Sequence, residues 1–141
     1  MRTRIFLADD SQTVRQLLHD VFTEAGFNVC GDASNGRELV EKAEQLKPDV
    51  VLVDIIMPKL NGVEAVSALR KVLPAGTFIV LMTLHEAAIG TAMCAGFAAD
   101  LVVSKFDGVN AMVHKIQALV TGSADGILFG AEPEKPPPRV Q

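Results

Sequence analysis

The chain is short of the residues that mark several protein classes. Its two cysteines, Cys30 and Cys94, lie far apart and outside any zinc or redox spacing, so no disulfide framework or thiolate metal site is indicated. Both read as reduced, small core residues. A formal net charge of −4 offers no electrostatic support for binding DNA or RNA. No apolar run approaches the ~20 residues needed to cross a bilayer. Charged Arg2 and Arg4 lead at once into Ile5-Phe6-Leu7 and two aspartates, which is not the pattern of a secretory signal. These absences point to a cytoplasmic protein with no direct nucleic-acid or membrane partner. His19, His85 and His114 lack metal-ligand spacing and read as surface histidines. No internal repeat is present.

The 141 residues, 49% apolar and 21% charged, suit one globular domain rather than a disordered chain. Short apolar runs alternate with helical patterns. Ile5-Phe6-Leu7-Ala8 is a first strand ending at Asp9-Asp10. Ser11 then caps a helix with Val14, Leu17, Leu18, Val21 and Phe22 on its apolar stripe, and Gly26 closes it. Phe27 to Ala33 is a less apolar strand, suited to an edge. Asn35 or Ser34 caps the next helix, which turns Leu39, Val40, Ala43 and Leu46 inward and stops at Pro48.

The stretch from Val50 to Gly62, VVLVDIIMPKLNG, organises the rest. Its apolar run suits a strand buried on both faces, with Asp54 at the carboxyl end, where open α/β sheets hold their ligands. A third helix carries Val63, Val66 and Leu69 and ends before Pro74. Thr77 to Thr83 is a fourth strand, and His85 to about Ala95 a helix with little polar face. Leu101-Val102-Val103 is a fifth strand ending at Ser104-Lys105, and about Asp107 to Val120 a last helix. Such alternation predicts a doubly wound α/β fold: a five-stranded parallel sheet, flavodoxin-like in its order 2-1-3-4-5, with helices on both faces. Residues 1–121 form the domain, and the Gly- and Pro-rich residues 122–141 a flexible tail.

On this scaffold Asp9, Asp10, Asp54, Thr83 and Lys105 all fall at carboxyl ends of strands, hence along one edge of the sheet. Three carboxylates crowded together repel one another and call for a cation. A hard divalent ion held by carboxylates, a carbonyl and waters is the magnesium pattern. Thr83 offers a hydroxyl donor and Lys105 a point charge for a phosphoryl oxygen. Asp54 is then the natural nucleophile, since a carboxylate can accept a phosphoryl group as an acyl phosphate.

Asp9-Asp10, Asp54, Thr83 and Lys105, with Met57-Pro58 and Gly62 trailing the aspartate, resemble the receiver domain of bacterial response regulators, the CheY-like family. The resemblance spans roughly Arg4 to Val120. It implies that Asp54 is the phosphoacceptor and that Asp9, Asp10 and Asp54 hold magnesium together with the main-chain carbonyl of Ile56. Thr83 and Lys105 would contact the phosphoryl group, whose donor would be a phosphohistidine on a sensor kinase or histidine phosphotransfer protein. The chain would be a switch rather than an enzyme, with magnesium-dependent self-phosphorylation and autodephosphorylation. It would signal through a protein partner at the face made by the fourth helical segment, the fifth strand and the last helix, which is also a candidate for homodimerisation. With no output domain expected after the last helix, it reads as a stand-alone receiver.

There are departures from the pattern. Receivers commonly carry Tyr or Phe three residues before the lysine, where this tyrosine-free chain has Val102. Phe106 follows the lysine in place of the usual proline, Leu84 stands where a small residue is usual, and Ala98 replaces a frequent glycine. The expectation is that phosphorylation chemistry is intact and that the helix beginning at His85, not an aromatic rotamer, transmits the change. His85 either opens that helix or borders the phosphoryl group. An aspartate-nucleophile phosphatase would want a second Asp two residues after Asp54, where Ile56 stands. The remaining rivals are a nucleotide or flavin binder, for which no Gly-rich loop follows strand one, and a phosphorylation-independent scaffold or phosphate sink.

Overall fold

A computed structural model describes residues 2–55, 59, 62–83 and 99–122. Five strands, β1 Arg4–Ala8, β2 Asn28–Ala33, β3 Val50–Asp54, β4 Phe78–Thr83 and β5 Leu101–Ser104, form one sheet in the order β2-β1-β3-β4-β5. Every pairing is parallel. The described helices are α1 Gln12–Glu24, α2 Gly36–Leu46, α3 Gly62–Val72 and α4 Val109–Thr121. The expected helix from His85 to Ala95, the residues Leu84 and Ala98, and the tail from 123 onward lie outside the described residues.

Side-chain alternation along the central strands builds two cores. Phe6, Val51, Val53, Ile79 and Leu81 pack on one face against Leu39 and Ala43 of α2 and Ala65, Val66 and Leu69 of α3. Ile5, Leu7, Leu52, Val80 and Met82 pack on the other against Leu18 and Phe22 of α1 and Met112 and Ile116 of α4. This is why the middle strands read as continuous apolar runs: each residue in turn has a covered face. Strand β2, at the edge, has three half-buried, two exposed and one buried position, in keeping with its weaker hydrophobicity.

The caps follow the sequence. The Ser11 side chain accepts from the Val14 amide, and Asn35 accepts from that of Glu38. Four local readings change. Leu17 is 47% exposed rather than on the inner stripe of α1. At 100° per residue, Val14 and Phe22 lie about 40° to either side of Leu18, whereas Leu17 lies about 100° away and Arg15 only about 60°. Arg15 therefore takes an inward place that the apolar pattern had given to Leu17. Helix α2 ends before Pro48, because Lys47 already turns the chain with a left-handed φ of 49°. Strand β2 begins at Asn28, and its pairing with β1 slips so that Ile5 meets Val29 and Phe6 meets Gly31. Cys30 is the extra residue of this bulge. It is half-buried rather than in the core, with its thiol 3.5 Å from the Ile5 carbonyl oxygen.

Candidate functional site: an acidic cluster at the carboxyl edge

The parallel sheet delivers the ends of β1, β3, β4 and β5 to one rim. Asp54 is the last residue of β3, Thr83 of β4 and Ser104 of β5, while Asp9 and Asp10 follow β1 directly. Since β1 and β3 are neighbours and helices leave them on opposite faces, the crevice between them is the switch point of the sheet. Asp9 and Asp54 are buried and Asp10 is exposed, and one carboxylate oxygen from each lies within 4.8 Å of the other two. The Asp9 carboxylate is fixed from two sides: the Ser11 amide donates to Oδ1 at 2.9 Å, and Lys105 Nζ to Oδ2 at 2.8 Å. Lys105 also reaches Asp54 Oδ2 at 3.2 Å. It opens a short 3-10 turn, Lys105–Asp107, at the end of β5, and its ammonium reaches past β4 to the two carboxylates.

Lys105 is only 18% exposed along its side chain. Burial pulls its pKa down, but the hydrogen bond it donates to Asp9 and the charge of Asp54 outweigh it, so the ammonium is held above its ordinary value. One cation facing three carboxylates leaves the cluster net negative. The donors are all hard oxygens at a spacing one small ion can span, so the residues present fit a magnesium ion. Ile56, whose carbonyl was expected to contribute, lies outside the described residues, as do Met57, Pro58 and His85.

Thr83 is buried and sits opposite Ser104 in the β4–β5 register. Their side chains share the face of Val102, which is buried in the core with Leu81. Sequence reasoning missed Ser104, which is buried at the strand end before Lys105. It also missed Arg15, whose Nη1 donates to the Asp9 carbonyl oxygen at 2.8 Å. The signal for Arg15 was available in the helical angle that sets it nearer the inner line than Leu17. At the far rim it missed a further pair: Arg70 Nη2 meets Asp100 Oδ2 at 2.8 Å, and that oxygen also accepts from the Ile79 amide.

Strand order, two-sided core and rim geometry together define a receiver-type α/β domain. Comparison with known proteins agrees. The model of the response regulator receiver domain matches residues 5–117, and the chain belongs to that family. The chemotaxis protein CheY of Thermotoga maritima is 39% identical over 106 residues, covering 75% of this chain and 88% of that protein. A protein-glutamate methylesterase/protein-glutamine glutaminase of Archaeoglobus fulgidus is 38% identical over 74% of this chain, which spans only 30% of that longer protein. Among solved structures, the response regulator domain of Thermotoga maritima CheB superposes with a TM-score of 0.73 at 30% identity, covering 87% of this chain and 96% of that one. The CheX–CheY–BeF3–magnesium complex of Borrelia burgdorferi aligns with a TM-score of 0.61 at 25% identity, over 72% of this chain and 77% of that one.

Proposed function

We propose that this receiver domain, residues 1–121, takes a phosphoryl group on Asp54 and signals by binding a protein partner differently when it is phosphorylated. The observation that carries the reading is the cluster of Asp9, Asp10 and Asp54 within 4.8 Å, with Lys105 bridging two of them. An Asp54 carboxylate oxygen attacks the phosphorus of a phosphohistidine. The phosphorus–nitrogen bond breaks, its electron pair stays on the imidazole, and an acyl phosphate forms on Asp54. Lys105 and the Thr83 hydroxyl stand at the same rim to meet the phosphoryl oxygens as charge redistributes among them. Asp9, Asp10 and Asp54, with the Ile56 carbonyl, would hold magnesium, which when bound neutralises charge on the transferring group. The donor would be a sensor histidine kinase or a histidine phosphotransfer protein in the cytoplasm. Hydrolysis of the acyl phosphate would return the switch to its resting state.

The solved relative bound to CheX, BeF3 and magnesium supports both the metal and a protein partner for this type of domain. For this chain the partner face would be β5 with α4 and the residues before β5, a face that would also serve a homodimer; residues 122–141 would follow as a flexible tail. Incubation with acetyl phosphate and magnesium, followed by intact mass measurement, tests the reading. A phosphoryl adduct is expected on the wild type and not on Asp54→Ala. A wild type that takes no adduct supports the second reading, a phosphorylation-independent scaffold. An adduct that leaves partner binding unchanged supports a phosphate sink. The second reading draws on Val102, which puts no aromatic ring three residues before Lys105.

A further inference from the structure

Arg15 has no part in the phosphoryl chemistry assigned above, yet it is the side chain that grips the backbone between the two acids that follow β1. Its Nη1 donates to the Asp9 carbonyl oxygen at 2.8 Å. Its Nε is buried without a hydrogen-bond partner among the described residues and lies 3.5 Å from Asp32 Oδ2, near the end of edge strand β2. The guanidinium therefore links the Asp9–Asp10 peptide to the neighbouring strand. The Asp9 carboxylate does not need this link, because the Ser11 amide and Lys105 already hold it, and the Asp9 amide donates to the Ala33 carbonyl. Asp10 is different. Its carboxylate is exposed and has no hydrogen-bond partner among the described residues, so the direction in which it leaves the chain is set by the peptide plane before it.

We propose that Arg15 is a positioning residue of the metal site: by holding the Asp9 carbonyl, with Asp32 as its anchor, it aims Asp10 into the cluster. This rests on the magnesium-dependent phosphoacceptor reading. The role is geometric and runs against simple electrostatics, since a cation beside an acidic cluster repels a second cation. Arg15→Ala would mix the two effects, because losing the charge favours magnesium while losing the link opposes it. Arg15→Lys separates them: the charge stays, but the planar fork that spans a carbonyl and a carboxylate is gone.

The test is magnesium titration of the whole chain by calorimetry and by amide resonances of Asp10 and Ser11, with urea unfolding of each metal-free protein alongside. Groups that orient metal ligands from behind typically govern affinity by 10–100-fold, so Arg15→Lys is expected to bind magnesium about tenfold more weakly at an unchanged urea midpoint. Asp32→Asn, a change at a half-exposed edge residue, is expected to weaken binding as well. In the Arg15→Lys background it should weaken binding less, because its anchor role is already lost. Equal affinity of Arg15→Lys and wild type overturns the proposal, as does strict additivity of the two changes. A loss of affinity matched by an equal loss of stability overturns it too, marking Arg15 as structural only. A wild type that binds no magnesium overturns the phosphoacceptor reading itself, a result distinct from the others.

Discussion

Replacing Lys105 with methionine removes the cation that stands between Asp9 and Asp54 while keeping most of the side chain's length. At an effective dielectric of about 20, the contacts at 2.8 and 3.2 Å carry gross attractions of about 6 and about 5 kcal/mol. Most of this is cancelled by the cost of taking the ammonium and two carboxylates out of water. Breaking a buried pair typically costs about 3–5 kcal/mol, and because this ammonium keeps some contact with solvent a loss of roughly 2–3 kcal/mol is expected here. Urea unfolding at pH 7 in the presence of EDTA measures it. Magnesium should then narrow the gap, since a divalent ion relieves in the variant the repulsion that Lys105 relieves in the wild type. If magnesium restores about 1.4 kcal/mol more to Lys105→Met than to the wild type, the variant's affinity is about tenfold higher. The pH dependence has a definite sign. With its folded pKa raised, Lys105 contributes stability that is fully present below the ordinary lysine pKa and lost as pH rises through the folded value. The difference between wild type and variant should therefore persist at pH 7 and shrink only in strong alkali. A variant as stable as the wild type in EDTA, or a gap that magnesium leaves untouched, would refute the assignment of Lys105 as the cluster's counter-ion.

Other expectations test the scaffold. Gly31→Ala would put a methyl group 2.9 Å from Leu46 Cδ1 and 3.0 Å from Phe6 Cε2, so a cost of about 1–3 kcal/mol should appear as a lower urea midpoint. Asp100→Ala leaves the Arg70 guanidinium and the Ile79 amide without their shared acceptor and should cost about 3 kcal/mol. Since that pair lies at the opposite rim, magnesium affinity of the folded protein should not change, which calorimetry checks. Asn35→Ala removes the cap of α2 and should cost about 1 kcal/mol by the same unfolding assay. The Cys30 thiol, pushed up by burial, should alkylate slowly with iodoacetamide near neutral pH, as peptide mapping would show.

Much of the fold was legible because parallel strands covered on both faces leave an unmistakable trace: VVLVD and FIVLMT have no polar side to hide. The strand ends were legible for the same reason, since Asp54 and Thr83 interrupt those runs. What the pattern could not show was the register of the edge strand. The bulge at Cys30 depends on how closely Gly31 approaches Phe6, which is a matter of contact across strands and not of periodicity. Arg15 escaped for a related reason. An arginine in a helix reads as solvated, so its helical angle toward the inner line carried little weight until the Asp9 carbonyl it meets across the turn from β1 was in view. Ser104 reads as a strand terminus until its register opposite Thr83 is known.

The stitching at the far rim bears on how the domain can be handled. Arg4 is tied there to Asp49 and the Lys47 carbonyl, and Arg70 to Asp100. Arg2, Thr3, Val120 and Thr121 line one shallow groove at that same end. Both ends of the described fold therefore leave from the rim opposite the acids, roughly 15 Å away along the length of a five-residue strand. A dye fixed directly at Thr3 or Thr121 would start at that distance from Asp54 rather than beside it. Whatever such an attachment reports about events at the acidic rim must reach it through the strands and helices that run the length of the sheet.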